Sequence, residues 1–125
     1  MITLKSCKVC KKTFPEIEFP IAGTIKGKLY RRAKCSVCYQ AVKRARRHRL
    51  AKWLEDYKKT QRCSKCPEND FRVLEFHHIN DDKEFNVSEM TAGFSVENIL
   101  KEINKCEVVC SNCHKRIHYN DRNGD

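Results

Sequence analysis

The sequence predicts a small α+β protein held together by zinc. Three observations carry that prediction. Eight of nine cysteines fall in four Cys-x-x-Cys pairs: Cys7/Cys10, Cys35/Cys38, Cys63/Cys66 and Cys110/Cys113. The run Val37–Thr60 contains no Gly or Pro and is dominated by good helix formers. And a chain of 125 residues cannot build a large apolar core, so it needs a staple. The expected organisation is a zinc-ribbon-like module over 1–38, a basic linker helix over 39–60, a C-terminal domain over 61–119 and a frayed tail over 120–125.

The cysteine spacing selects the staple. Two residues between thiolates let both sulfurs reach one tetrahedral ion. A disulfide between such close neighbours is strained. The start, Met-Ile-Thr-Leu-Lys, reads as neither a signal peptide nor a targeting helix. No apolar run approaches membrane-spanning length. Zinc-loaded thiols in a reducing, cytoplasmic compartment are therefore expected, with no membrane partner.

The net charge is +10 and unevenly placed. Residues 1–62 carry 18 Lys/Arg against 4 Asp/Glu; residues 63–125 carry 8 against 12. A basic half joined to a mildly acidic half suggests that one part grips a polyanion and the other holds a histidine- and carboxylate-rich site.

In the N-terminal module, Cys7, Cys10, Cys35 and Cys38 form the first expected zinc site. Four thiolates leave no open position for chemistry, so this zinc is read as structural. Phe14, Phe19, Ile21 and Ile25 are its expected miniature core. Pro15, Pro20, Gly23 and Gly27 keep its strands short. The stretch from Gly27 to Lys34 is the expected last strand, where cations mix with Tyr30 on a surface suited to phosphate.

The helix follows. Val42, Ala45, Trp53, Leu54 and Tyr57 give an irregular apolar stripe. Lys43, Arg44, Arg46, Arg47, Arg49 and Lys52 wrap much of the rest, and no acid interrupts them before Glu55. Twenty-four residues span roughly 36 Å, about one turn of DNA. Like charges packed this densely repel, and phosphates are the expected counter-charge. DNA is the expected partner, RNA the weaker alternative. His48, inside this run, reads as ordinary surface.

In the C-terminal half, Cys63 and Cys66 open a clasp that Cys110 and Cys113 close, a second structural zinc site. The 43 residues between the pairs exceed an ordinary ribbon loop, so something else folds inside. Arg72–Ile79 is strand-like. Val87–Met90 reads as a short helical turn. Ser95 caps a helix through about Asn104 with Ile99, Leu100 and Ile103 inward. Glu107–Val109 is a short strand, and Ser111 or Asn112 is the expected cap of a last helix carrying His114 and His118. Cys106, the ninth cysteine, reads as a small buried hydrophobe, with replacement of a zinc ligand as the minor alternative.

The histidines carry the chemistry. His114 and His118 are four apart on the last predicted helix, so they share a face and can bind one ion. His77 and His78 are neighbours on a strand and point to opposite sides. One is then a ligand and the other a free imidazole. A neutral imidazole near pH 7 is a competent base for water, and a divalent ion stabilises charge on a phosphoryl oxygen. Phosphodiester cleavage needs both parts.

Leu74-Glu-Phe-His77-His78-Ile79 and Cys110-Ser-Asn-Cys113-His114…His118 resemble the first strand and the helix of the HNH endonucleases, a family with a ββα-metal fold. The four-cysteine variety, common among small phage-encoded nucleases, clasps that unit with zinc. The resemblance spans about 61–119. It implies His77, His114 and His118 as ligands of a catalytic divalent metal (Mg²⁺, Mn²⁺, Ni²⁺ or Zn²⁺), and His78 as general base. It implies DNA hydrolysis to 3′-hydroxyl and 5′-phosphate ends, by nicking, with double-strand cleavage needing a dimer or a second encounter. Lys115 and Arg116 lie beside the ligands and are expected to contact phosphate. A monomer or homodimer is expected, and the resemblance implies action in the cytoplasm of a host cell. One position departs from the pattern. Lys105, beside Asn104, stands where the family carries an Asn that orients the loop and the base. The alternative reading is a two-zinc nucleic-acid-binding protein that has lost catalysis.

Overall fold

A computed structural model describes residues 2–123. It is a small α+β protein with two four-cysteine clusters, and it divides into two compact units, one up to Ala45 and one from Arg46 onward. No helix among the described residues is long and apolar enough to cross a membrane.

The first unit is two hairpins and the start of a helix. Strands β1 (Leu4–Ser6) and β2 (Thr13–Pro15) pair antiparallel. So do β3 (Ile21–Ile25) and β4 (Lys28–Arg31). Lys26 and Gly27 join the second pair with φ of 50° and 79°. Positive φ at both central residues is the two-residue turn that matches strand twist. The core is smaller than expected. Phe19 is fully buried against Cys7 and Cys35, with Phe14 packed beside them. Ile21 and Ile25 are exposed instead, because β3 has no layer covering either face. The four-cysteine cluster is therefore most of this unit's interior.

Helix α1 (Ser36–Lys59) is continuous for 24 residues. Its first turns belong to the first unit, and its second half supplies Leu50 and Leu54 to the core of the second. There they pack with Val87, Met90, Ile99 and Ile103. Each such side chain, taken fully from water, contributes about 1.5–3 kcal/mol. Trp53 and Tyr57 flank that core and stack at 5.7 Å.

In the second unit a 3₁₀ turn (Phe71–Val73), capped by the Asp70 carboxylate, leads into β5 (Leu74–His78). The expected strand thus starts two residues late. Short α2 (Val87–Met90) and α3 (Val96–Ile103) follow, the latter capped by Ser95. Strand β6 (Cys106–Cys110) returns antiparallel to β5, with His77 opposite Glu107 and His78 opposite Cys106. Helix α4 starts at Ser111 and runs to Asn123. The expected frayed tail is helical over 120–123; residues 124 and 125 lie outside the described residues. A second apolar cluster joins Leu74 and Val109 to Cys63, Cys110 and Cys113.

The two clasps share one construction. The N–H of the first cysteine meets the carbonyl five residues on: Cys7 with Lys12 and Cys63 with Glu68. The next N–H reaches the residue two before the second pair: Lys8 with Ala33 and Ser64 with Val108. The first cysteine of each second pair donates its N–H to the opposite sulfur, Cys35 to Cys7 at 3.3 Å and Cys110 to Cys63 at 3.2 Å. In both, the second pair opens a helix, α1 or α4.

Candidate metal centre and nucleic-acid interface

The four sulfurs of Cys7, Cys10, Cys35 and Cys38 lie within 4.8 Å of one another, and so do those of Cys63, Cys66, Cys110 and Cys113. All nine cysteines are free thiols. Cys66 Sγ and Cys110 Sγ are 3.7 Å apart, far beyond a disulfide bond. That spacing matches the edge of a tetrahedron with Zn–S bonds of about 2.3 Å, roughly 3.8 Å. Each four-cysteine group could hold a structural metal ion. The N–H of Cys35 leads in drawing the Cys7 thiol down to about 6, against its burial. Burial opposes ionisation of Cys63, but N–H groups led by that of Cys110 outweigh it and bring the thiol to about 6. Burial pushes Cys38 and Cys113 up to about 12. Thiols packed this closely need a cation before all of them ionise. Cys106 stands outside both groups. It packs against the larger core, and burial pushes its thiol up to about 11.

A third cluster has different chemistry. His77 on β5 and His114 and His118 on α4 bring ring nitrogens within 4.8 Å of one another. His114 Nε2 and His118 Nε2 are 3.0 Å apart, and the His77 ring meets both edge-on at 5.2 and 5.5 Å between centres. Three imidazoles are a fitting donor set for a divalent transition ion, and three protein ligands leave coordination positions open. Burial, then the neighbouring His114 charge, holds the His77 imidazole below its ordinary pKa. That favours the neutral form a metal requires.

The residue two before His77 on the strand completes this cluster. Side chains two apart on a strand share a face, so Glu75 also faces α4. Its Oε2 is 2.6 Å from His114 Nδ1 and its Oε1 accepts from Ser111 Oγ at 2.9 Å. Burial works against the Glu75 charge, but the bonds from His114 and Ser111 outweigh it and lower its pKa. The carboxylate takes the Nδ1 proton of His114 as a hydrogen bond, which leaves the Nε2 lone pair for an ion.

His78 faces the other way, as alternation on a strand requires. It is not among the three clustered imidazoles. Its Nε2 lies 2.7 Å from Oε2 of Glu102 on α3. Glu102 also accepts from Lys105 Nζ at 3.2 Å, and Lys105 reaches Glu84 Oε1 at 2.9 Å and the Asp82 carbonyl at 3.1 Å. All four histidines nevertheless line one cleft of about 510 Å³.

Lys58, Arg72 and Lys83 line the same cleft. Lys58 lies over the Phe76 ring at 5.6 Å, and burial pushes its pKa below the ordinary lysine value. Arg72 is held by Asp70 at 2.8 Å. These cations were not singled out by sequence, because nothing local marks them as neighbours of the histidines. Lys115 and Arg116 were, but they are not part of that lining. They share a shallow groove along α4 with His118 and Tyr119, since a helix turns successive residues by about 100°. Among the helix cations, Lys43, Arg44, Arg47 and Arg49 are exposed. Lys52 pairs with Asp56 at 3.0 Å. Arg46 donates to the Gly93 carbonyl at 3.0 Å, so it serves the fold as well as the surface charge. Comparison with protein-family models, curated proteins and solved structures finds no match to the chain.

Proposed function

We propose that the C-terminal unit is an HNH-type endonuclease that hydrolyses DNA phosphodiester bonds with a divalent metal, nicking one strand as its elementary event. The observation that carries this reading is the convergence of His77, His114 and His118 on one point, with His78 in the same cleft but on the opposite strand face. A four-thiolate site beside it is saturated; a three-imidazole site is not.

A divalent ion on His77, His114 and His118 would supply charge stabilisation at the phosphoryl and leaving oxygens. The remaining work falls to the chain. His78 takes the proton of the attacking water; with Nε2–H directed to Glu102, Nδ1 carries the accepting lone pair. Lys58 and Lys83 attract the phosphodiester into the cleft. The exposed cations Lys43, Arg44, Arg47 and Arg49 hold a nucleic-acid backbone without reading its sequence. The two four-cysteine groups keep zinc for structure alone.

The test is nicking of supercoiled plasmid by the zinc-loaded chain with added Mg²⁺, Mn²⁺, Ni²⁺ or Zn²⁺. The parent protein should nick with at least one ion. His78→Ala should bind DNA equally well and cut about 10²–10⁴-fold more slowly. A parent that binds and never cuts under any of these ions would instead be a two-zinc nucleic-acid-binding protein. Preferential competition by RNA over duplex DNA would reassign the partner.

A further inference from the structure

Glu102 is the only buried charged residue among those described, at 3 % exposure. It sits on the inward stripe of α3 between Ile99 and Ile103, where an apolar side chain would pack without cost. Burying a carboxylate is expensive, and a buried ion pair returns little net stability. Stability therefore does not account for this residue. Its contacts do: one oxygen meets His78 Nε2 at 2.7 Å, the other meets Lys105 Nζ at 3.2 Å. Lys105 in turn straps the loop before α2 by bonds to Glu84 and to the Asp82 carbonyl. The Glu84 N–H adds a longer contact to Glu102 at 3.4 Å.

We propose that Glu102 is a positioning residue for His78, and that Lys105 holds Glu102 and the 80–86 loop in the arrangement this requires. The proposal rests on the nuclease reading of the cleft. Glu102 fixes His78 as the Nε2–H tautomer, which puts the lone pair on Nδ1. When Nδ1 accepts the proton of water, the positive charge that appears on the ring lies against a carboxylate. Both protons are then accounted for: the original one stays on Nε2, hydrogen-bonded to Glu102, and the new one sits on Nδ1. The same division between base and orienting acid operates in Ser-His-Asp hydrolases, where neutralising the acid costs about 10⁴-fold through the wrong tautomer.

The experiment is a double-mutant cycle on the full zinc-loaded chain, with Glu102→Gln, His78→Ala and their combination, read by single-turnover nicking. The near-isosteric Gln should lower the turnover rate by about 10²–10⁴-fold and leave DNA affinity unchanged. In the His78→Ala background the same substitution should cost nothing further. An equal loss in both backgrounds, or no loss in either, overturns the proposal. A second reading is independent of cutting: long-range ¹H–¹⁵N spectra of the His78 ring. The parent should show Nε2–H, and Glu102→Gln should show a mixture of tautomers. An unchanged tautomer overturns the proposal even if the chain proves to be no nuclease. A parent that fails to nick while the tautomer shifts condemns the nuclease reading alone. Should Glu102→Gln not fold, Lys105→Met serves: it should produce a smaller loss in the same direction, again only with His78 present, and an equal loss without His78 refutes the strap.

Discussion

Replacing Glu75 should weaken ion binding at the three-imidazole cluster without touching the zinc clasps. Glu75 contacts His114 Nδ1 at 2.6 Å and is itself held by Ser111 at 2.9 Å. Losing such an outer partner of a ligating histidine typically costs about 10–100-fold in metal affinity, roughly 1.4–2.8 kcal/mol at 1.4 kcal/mol per decade. The geometry places two variants within that range. Glu75→Gln keeps an oxygen that can accept the Nδ1 proton and loses only the charge. The Glu75 side chain is 45 % exposed, so water already screens part of that charge. Its cost should be near tenfold. Glu75→Ala removes the acceptor and frees the His114 ring to rotate, so its cost should approach a hundredfold. The assay is calorimetric titration with Ni²⁺ or Mn²⁺ after both clasps are filled, with zinc content measured before and after. If both variants bind within threefold of the parent, or if the loss appears only alongside lost zinc, the orienting role of Glu75 is refuted.

Three further outcomes follow from the same contacts. Cys35→Ser should lower bound zinc from two ions to one per chain and disorder the first unit, whose interior is little more than Phe19 and its cysteines; metal analysis with amide spectra would contradict this if two ions remained. Cys106→Ala should leave zinc content unchanged, because Cys106 belongs to neither four-cysteine group. Lys58→Ala should weaken DNA binding at low salt and reduce the slope of log affinity against log salt by about one; an unchanged slope would remove Lys58 from the phosphate path.

A good deal of this was legible in the chain alone, and particular residues show why. The cysteine pairs were readable because a metal knuckle is local: two residues between sulfurs is a chemical constraint independent of the rest of the fold. Helix α1 and the Ser95 cap were readable because their signals are equally local, while α4 begins at Ser111, one of the two residues expected to cap it. The opposite orientations of His77 and His78 follow from strand pleating alone. What escaped was whatever depends on which surface comes to rest against which. Glu75 carried a usable sign, two residues before His77 on one strand face. Glu102 carried another, an acid inside the apolar stripe of α3. Without a partner in view, neither sign named its histidine.

Sequence alone thus determined the donor atoms: eight thiols in pairs, two imidazoles one helical turn apart and two more on a strand. It also determined where the cations are concentrated, because charge is a property of composition. Tertiary structure decided which acid meets which histidine, that Leu50 and Leu54 make half of α1 part of the second unit's core, and that Lys58 and Lys83, not Lys115 and Arg116, line the histidine cleft. The acid–histidine pairs alone join residues 24 and 39 positions apart. They form only when the helices pack against the two-stranded β5–β6 sheet, where burial and charge pairing outweigh the entropy of closing the loops between them.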